Sequence, residues 1–174
     1  LSLTNGQTGP VLPLFAGAKM LDSDPKGALL WTQSGQTGLF LRWTSAADGK
    51  TRDLLALDTA YAGIAWGRMR LIEYKTLSGK DVKAAVILPP GYQPGRRYPT
   101  LFWAYEGYRV RGLEQDYYLD PMMSGIYNLQ LYAANGYVVV LPTMPLASRE
   151  NVYAQAPDGV LPAIDKVVAL GIAD

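Results

Sequence analysis

Any chemistry in this sequence has to proceed without imidazole or thiol, because its 174 residues include no His and no Cys. That removes a thiolate nucleophile, an imidazole base, disulfides and Cys/His metal sites of the zinc or haem type, and a complete Ser-His-Asp triad cannot be assembled from these residues. Hydroxyls and carboxylates remain. Ser23-Asp24-Pro25-Lys26 has the S-x-x-K spacing of Ser-Lys enzymes, but Pro25 argues against the helical turn that would bring Lys to Ser. Glu73, Glu106, Glu114 and Glu150 with eleven Asp could pair for glycosidase chemistry, yet no spacing singles out a pair. Asp22-Ser23-Asp24 is the one short Asp pair and lacks the rest of a calcium loop. No G-x-x-x-x-G-K phosphate cradle is present, and no serine has Gly both two before and two after it; Ser34, Ser78 and Ser124 all fail. Tyr105-Glu106-Gly107, at the end of the apolar run TLFWAY, is one of many tyrosine-bearing stretches, and closing a buried strand is an ordinary role for such a Tyr.

Positioning any of these groups needs a framework, and the composition supplies one. With 49% apolar and 18% charged residues the chain can bury a core of one-domain size. Sixteen Lys and Arg against fifteen Asp and Glu leave a net charge of +1, so no basic excess points to nucleic acid. No apolar run approaches a membrane span, and LSLTNGQTG lacks the order of a signal peptide. A start at Leu1 reads as internal to something longer, and the absence of Cys fits either a cytosolic or an exported, disulfide-free protein.

The first part reads as an antiparallel meander, with strands over 28–33, 39–44 and 53–57 separated by Ser34-Gly35 and Asp48-Gly49. GQTG at Gly6–Gly9 recurs at Gly35–Gly38, a repeat or a reuse of turn residues. From Met69 the pattern changes. A hairpin over 70–75 and 82–88 precedes a Pro-Gly loop that cannot be helix, then a buried strand over 100–105. A helix over 125–134 ends at Asn135-Gly136, and YVVVL (137–141) is a second buried strand. The last helix is expected to start with Asp158 as N-cap and Pro162 in its first turn, and to stop at Gly171. Strand, helix, strand, helix implies right-handed crossovers and a parallel sheet. The expected division is a β-rich segment over 1–65 and an α/β part over 66–174. Trp31, Phe40, Trp43, Trp66, Phe102 and Trp103 fall in or beside expected strands and read as core.

Three strings carry a resemblance: VILPPGYQPGRRYPTLFWAYEG (86–107), NLQLYAANGYVVVLPT (128–143) and DGVLPAIDKVVALGIAD (158–174). Together they resemble the opening of the catalytic α/β-hydrolase domain of the prolyl oligopeptidase family of serine peptidases, which includes dipeptidyl peptidases, acylaminoacyl peptidases and glutamyl endopeptidases. The resemblance covers the chain from Met69 onward; the first 65 residues are similar to the family's β-propeller in texture only. It implies the first half of an α/β-hydrolase domain preceded by the last strands of a propeller and a return linker near Thr59–Gly67. The segments 70–75 and 82–88 would be the leading hairpin, 100–105 the third strand and 137–141 the fourth. In this fold the nucleophile lies in G-x-S-x-G after the next strand, followed by Asp and then His. The resemblance therefore places the triad beyond residue 174 and leaves this chain alone inactive.

In the prolyl oligopeptidase and dipeptidyl peptidase branches of that family a Tyr hydroxyl in a Tyr-x-Gly context at the end of the third strand donates to the oxyanion, where charge develops in the transition state. Tyr105-Glu106-Gly107 matches. The resemblance gives Tyr105 the oxyanion donor's role and Gly107 the turn away from the strand, while Glu106, where the family has a small or apolar residue, could hold a substrate amino group or point to solvent. Tyr108–Gly112 with Glu114 and Asp116 follows as a mixed-charge loop lining a cleft or facing solvent. Expected partners are a peptide substrate and the remainder of the catalytic domain, with no nucleic acid, membrane, cofactor or metal. Two alternatives remain open: a non-catalytic binding module on a partial hydrolase framework, and an esterase of the hydrolase superfamily. A sheet lacking its nucleophile strand is expected to expose apolar surface at the fourth strand or on the last helix.

Overall fold

The computed structural model describes residues 18–35, 38–113, 125–148 and 150–173. They fall into two compact units that divide between Ile64 and Ala65. The arrangement is α/β, with two sheets and two α-helices. No helix of the described residues is long and apolar enough to cross a membrane.

The first unit is a four-stranded antiparallel meander, β1 (Ala18–Ser23), β2 (Leu29–Gly35), β3 (Gly38–Thr44) and β4 (Thr51–Leu57), paired in sequence order. The three expected strands are there, and β1 is one more that the sequence reading missed. Its turns follow from local chemistry. The Asp24 carboxylate accepts from the Ala28 amide at 2.8 Å and Gly27 takes a φ of 86°; Asp48 accepts from Lys50 at 3.1 Å beside Gly49 at 67°. Of the second GQTG copy, Gly35 in β2 lies opposite Gly38 in β3; its two central residues and the first copy lie outside the described residues. Buried Trp31 donates its indole N–H to Thr44 Oγ1 at 2.9 Å. Arg42 lies over the rings of Trp31 and Phe40 and bonds to Gln33 and Asp53. These strands form one open sheet, and no closed propeller is formed by the described residues.

The second unit carries β5 (Arg68–Lys75), β6 (Asp81–Leu88), β7 (Thr100–Phe102), α1 (Leu129–Ala134), β8 (Val138–Leu141) and α2 (Val152–Ala169). Its sheet runs β5-β6-β8-β7, with β7 and β8 parallel and the other pairs antiparallel. The expected parallel sheet is thus confined to one pair. Strand alternation sorts the core into two layers. Ala84, Val86, Val138 and Val140 pack with Ala163 and Val167 of α2, while Ala85, Ile87, Val139 and Leu141 pack with Leu129 and Ala133 of α1. Every residue of β8 is fully buried, so the expectation of apolar exposure there fails: β8 is interior and β7 holds the end of the sheet. The other half of that expectation holds, since Leu161, Val168 and Leu170 of the last helical segment are exposed.

Helix α1 begins at Leu129 rather than 125, because residues 125–127 form a 3-10 turn and Asn128 caps the helix by accepting from Gln130 N at 3.1 Å. It stops as expected at Asn135-Gly136, with Gly136 at a φ of 88°. Its buried Gln130 side chain accepts from Gly67 N at 2.9 Å and donates to Gly67 O at 3.3 Å.

Helix α2 requires a larger correction. It starts at Val152 after Asn151, so Asp158 is interior and is not its N-cap, and both Pro157 and Pro162 lie inside the helix. Proline is disfavoured there because it removes the N–H that would bond the carbonyl four residues back. For Pro162 that carbonyl belongs to Asp158, and it accepts instead from Leu77 N at 3.0 Å, in the turn between β5 and β6. The Asp158 carboxylate takes the rest of that turn, from Ser78 N at 2.6 Å and Ser78 Oγ at 3.0 Å. The helix stops at Gly171 as expected. Ala173 then makes a parallel bridge to Tyr98, whose amide donates to Ile172 O at 3.0 Å.

Candidate functional site

Strand β7 is shorter than its apolar run suggests. It ends at Phe102, and the pairing with β8 closes with Trp103 N donating to Val140 O at 2.8 Å. Tyr105 therefore stands past the C-terminal end of a parallel strand, 52% exposed, in the position where α/β sheets present ligand-binding loops. Its carbonyl accepts from Tyr108 N at 3.1 Å, closing a tight turn in which Glu106 is exposed and Gly107 adopts a φ of 70°. A side chain at Gly107 would be strained by that left-handed backbone, so the glycine sets the direction in which the chain leaves the strand.

The loop after Gly107 is fixed to the loop after β8 by bonds invisible in the sequence. Met144 N donates to Tyr108 O at 2.8 Å, and Val110 N donates to the Thr143 hydroxyl at 3.0 Å. That hydroxyl donates in turn to Lys83 O at 2.6 Å, tying both loops to β6. The Thr143 carbonyl accepts from Tyr74 OH at 3.2 Å. Burial pushes the Tyr74 phenol up to about 12, with the Asp158 carboxylate adding to the rise, so Tyr74 stays a protonated donor at neutral pH. From the other side α2 approaches so closely that a Cβ at Gly159 would overlap the Thr143 carbonyl oxygen. Trp103 is covered edge-on by Tyr127, with ring centroids 5.7 Å apart.

The structure thus places Tyr105, Glu106 and Gly107 on one exposed turn at the end of β7. Thr143, Tyr74 and Asp158, which hold its surroundings, carry no sequence signal of that role. Glu114, Asp116 and Ser124 lie outside the described residues. Ser23 and Lys26 sit at the end of β1 and in the turn after it, with no helix to align them. Asp22 and Asp24 each accept a local backbone amide.

No family model matches the chain, and no curated protein does. Solved structures do match. A Bacteroides ovatus protein assigned as a dipeptidyl aminopeptidase IV superposes with a TM-score of 0.61 at 13% identity, over 90% of this chain and 24% of its own. The AtxE2 isopeptidase gives 0.59 at 18% identity over 88% of this chain and 25% of its own. The prolyl oligopeptidase B of Galerina marginata gives 0.59 at 12% identity over 91% and 23%. The chain has the fold of the corresponding part of these peptidases and spans about a quarter of the length of each.

Proposed function

We propose that this chain is part of a serine peptidase of the prolyl oligopeptidase family, with residues 1–65 from the end of its β-propeller and residues 66–174 forming the first half of its α/β-hydrolase domain. The observation that carries this reading is the placement of Tyr105-Glu106-Gly107 past the C-terminal end of β7, within a fold shared with solved peptidases. The bridge from Ala173 to Tyr98 supports it. A strand continuing from there would run parallel to β7 along its open edge, and the turn at that strand's end would fall beside Tyr105.

In the whole enzyme a Ser on that turn attacks the peptide carbonyl, a His takes its proton and later returns it to the leaving amine, and water hydrolyses the acyl-enzyme. The Tyr105 hydroxyl donates to the oxygen that becomes anionic in the tetrahedral intermediate. A phenol held on a turn whose path Gly107 sets meets that charge without reorganising. The Glu106 carboxylate, exposed next to it, receives the amino group of the bound peptide.

The test uses the full-length protein. Intact mass after treatment with a fluorophosphonate is expected to show one covalent adduct on a serine outside residues 1–174. Tyr105→Phe keeps the ring and removes the donor, so kcat for a peptide substrate is expected to fall about 100- to 1000-fold with KM little changed. No adduct and no hydrolysis would leave the non-catalytic module, and an adduct with unchanged kcat in the variant would remove Tyr105 from the oxyanion site.

A further inference from the structure

Lys80, the start of β6 and the loop after Gly107 line an open cleft of about 410 Å³, with Asp81, Lys83, Arg109, Arg111 and Thr143 also in its wall. Four cations and one carboxylate converge there, in a protein whose net charge is +1. The ion pairs sharpen the imbalance. Asp81 is taken by Lys75 at 2.6 Å, on the far side of the hairpin, and Lys83 is partly compensated by Glu73 at 3.5 Å. Among the described residues no acidic side chain pairs with Lys80, Arg109 or Arg111.

The backbone that carries the cations is also held in place. Val110, between the two arginines, is 7% exposed and anchored through its amide to the Thr143 hydroxyl, and the same hydroxyl binds the carbonyl of Lys83. One buried side chain therefore fixes the backbone from which the charged side chains of both walls project. Guanidinium groups arranged in this way suit carboxylates, which they bind through paired N–H donors. A short open cleft does not offer the long basic track that a nucleic-acid backbone needs.

We infer that this cleft is a binding site for the acidic side chains of a peptide. The inference rests on the peptidase reading for its choice of a peptide, since the cleft opens on the loop that leads away from Tyr105, and it makes that enzyme selective for acidic sequences. The carboxylates bind between Arg109 and Arg111 on one wall and Lys80 on the other.

Fluorescence anisotropy of rhodamine-labelled hexaglutamate and hexaglutamine on the full-length protein tests this without turnover. Hexaglutamate is expected to bind about tenfold tighter, an advantage that disappears near 1 M NaCl, where the Debye length is about 3 Å. Single Arg109→Ala and Arg111→Ala variants are expected to lose about two- to fivefold each. The double variant, with an unchanged melting temperature because both side chains are exposed, is expected to lose the preference altogether. Tyr105→Phe is expected to keep it. Equal affinity for the two peptides, or a preference that survives in the double variant, overturns the site. Displacement by millimolar inorganic phosphate overturns its assignment to peptide carboxylates and makes it a general anion site. Hexaglutamate preference without a fluorophosphonate adduct removes the peptidase reading and leaves the cleft, whereas an adduct without preference removes the cleft alone.

Discussion

The two sheets have four strands each and are built on opposite plans. In the first, every strand pairs with its sequence neighbour, β4 is exposed along its whole length, and Leu54, Leu55 and Leu57 face outward. In the second, β8 inserts between β6 and β7, lies at zero exposure, and is covered by a helix on each face. The first sheet is held by turns and by cross-strand pairs such as Trp31 with Thr44. The second is held by a core, together with bonds that reach 60 to 80 residues along the chain: Lys83 to Thr143, Ser78 to Asp158. Local pairing gives an early-forming sheet with little buried apolar surface, whereas non-local pairing is slower to form and leaves well-packed ground for a site.

Mutations can break that contrast or sharpen it. Ile87→Ala removes a fully buried side chain between β5, β8 and α1 and is expected to cost about 4 kcal/mol, read as a large loss in the chemical-denaturation midpoint of the second unit. Gly159→Ala puts a methyl group onto the Thr143 carbonyl and is expected to cost about 2 kcal/mol and to weaken hexaglutamate binding as Thr143 shifts. Leu55→Ser, on the exposed β4, is expected to change stability by less than about 0.5 kcal/mol. A Leu55→Ser cost comparable to that of Ile87→Ala would show that another surface buries β4, and the contrast between the sheets would collapse.

The same contrast explains what was legible. Turn residues such as Asp24, Gly27, Asp48 and Gly49 act within a few positions of themselves, so the meander could be read from its punctuation. The buried strands announced themselves as apolar runs, and Gly136 and Gly171 marked the helix ends. The start of α2 was misplaced because Pro162 reads locally as a first-turn residue. Its tolerance inside the helix depends on Leu77, 85 positions earlier, taking up the carbonyl that proline leaves unbonded. The turn at Tyr105 was singled out through strings that resemble a family's, while Thr143 stayed hidden because a lone Thr after a strand has no pattern. Its importance comes from what folds against each of its atoms. The cleft was hidden for the same reason, since Lys80, Lys83, Arg109 and Arg111 are ordinary surface residues until two segments are brought together.

Gly67 lies just before the first strand of the second unit, with its N–H and C=O both taken by the one amide group of Gln130. A side chain there does what a neighbouring strand would do, and it is itself 3% exposed. The backbone at this point, outside any strand, is therefore shut off from hydrogen exchange with solvent to the same degree as the helix that supplies the Gln. A proteolytic enzyme would have to unseat α1 before it could thread residue 67 into its own cleft, so this point at the start of the second unit is guarded by a helix more than 60 residues away.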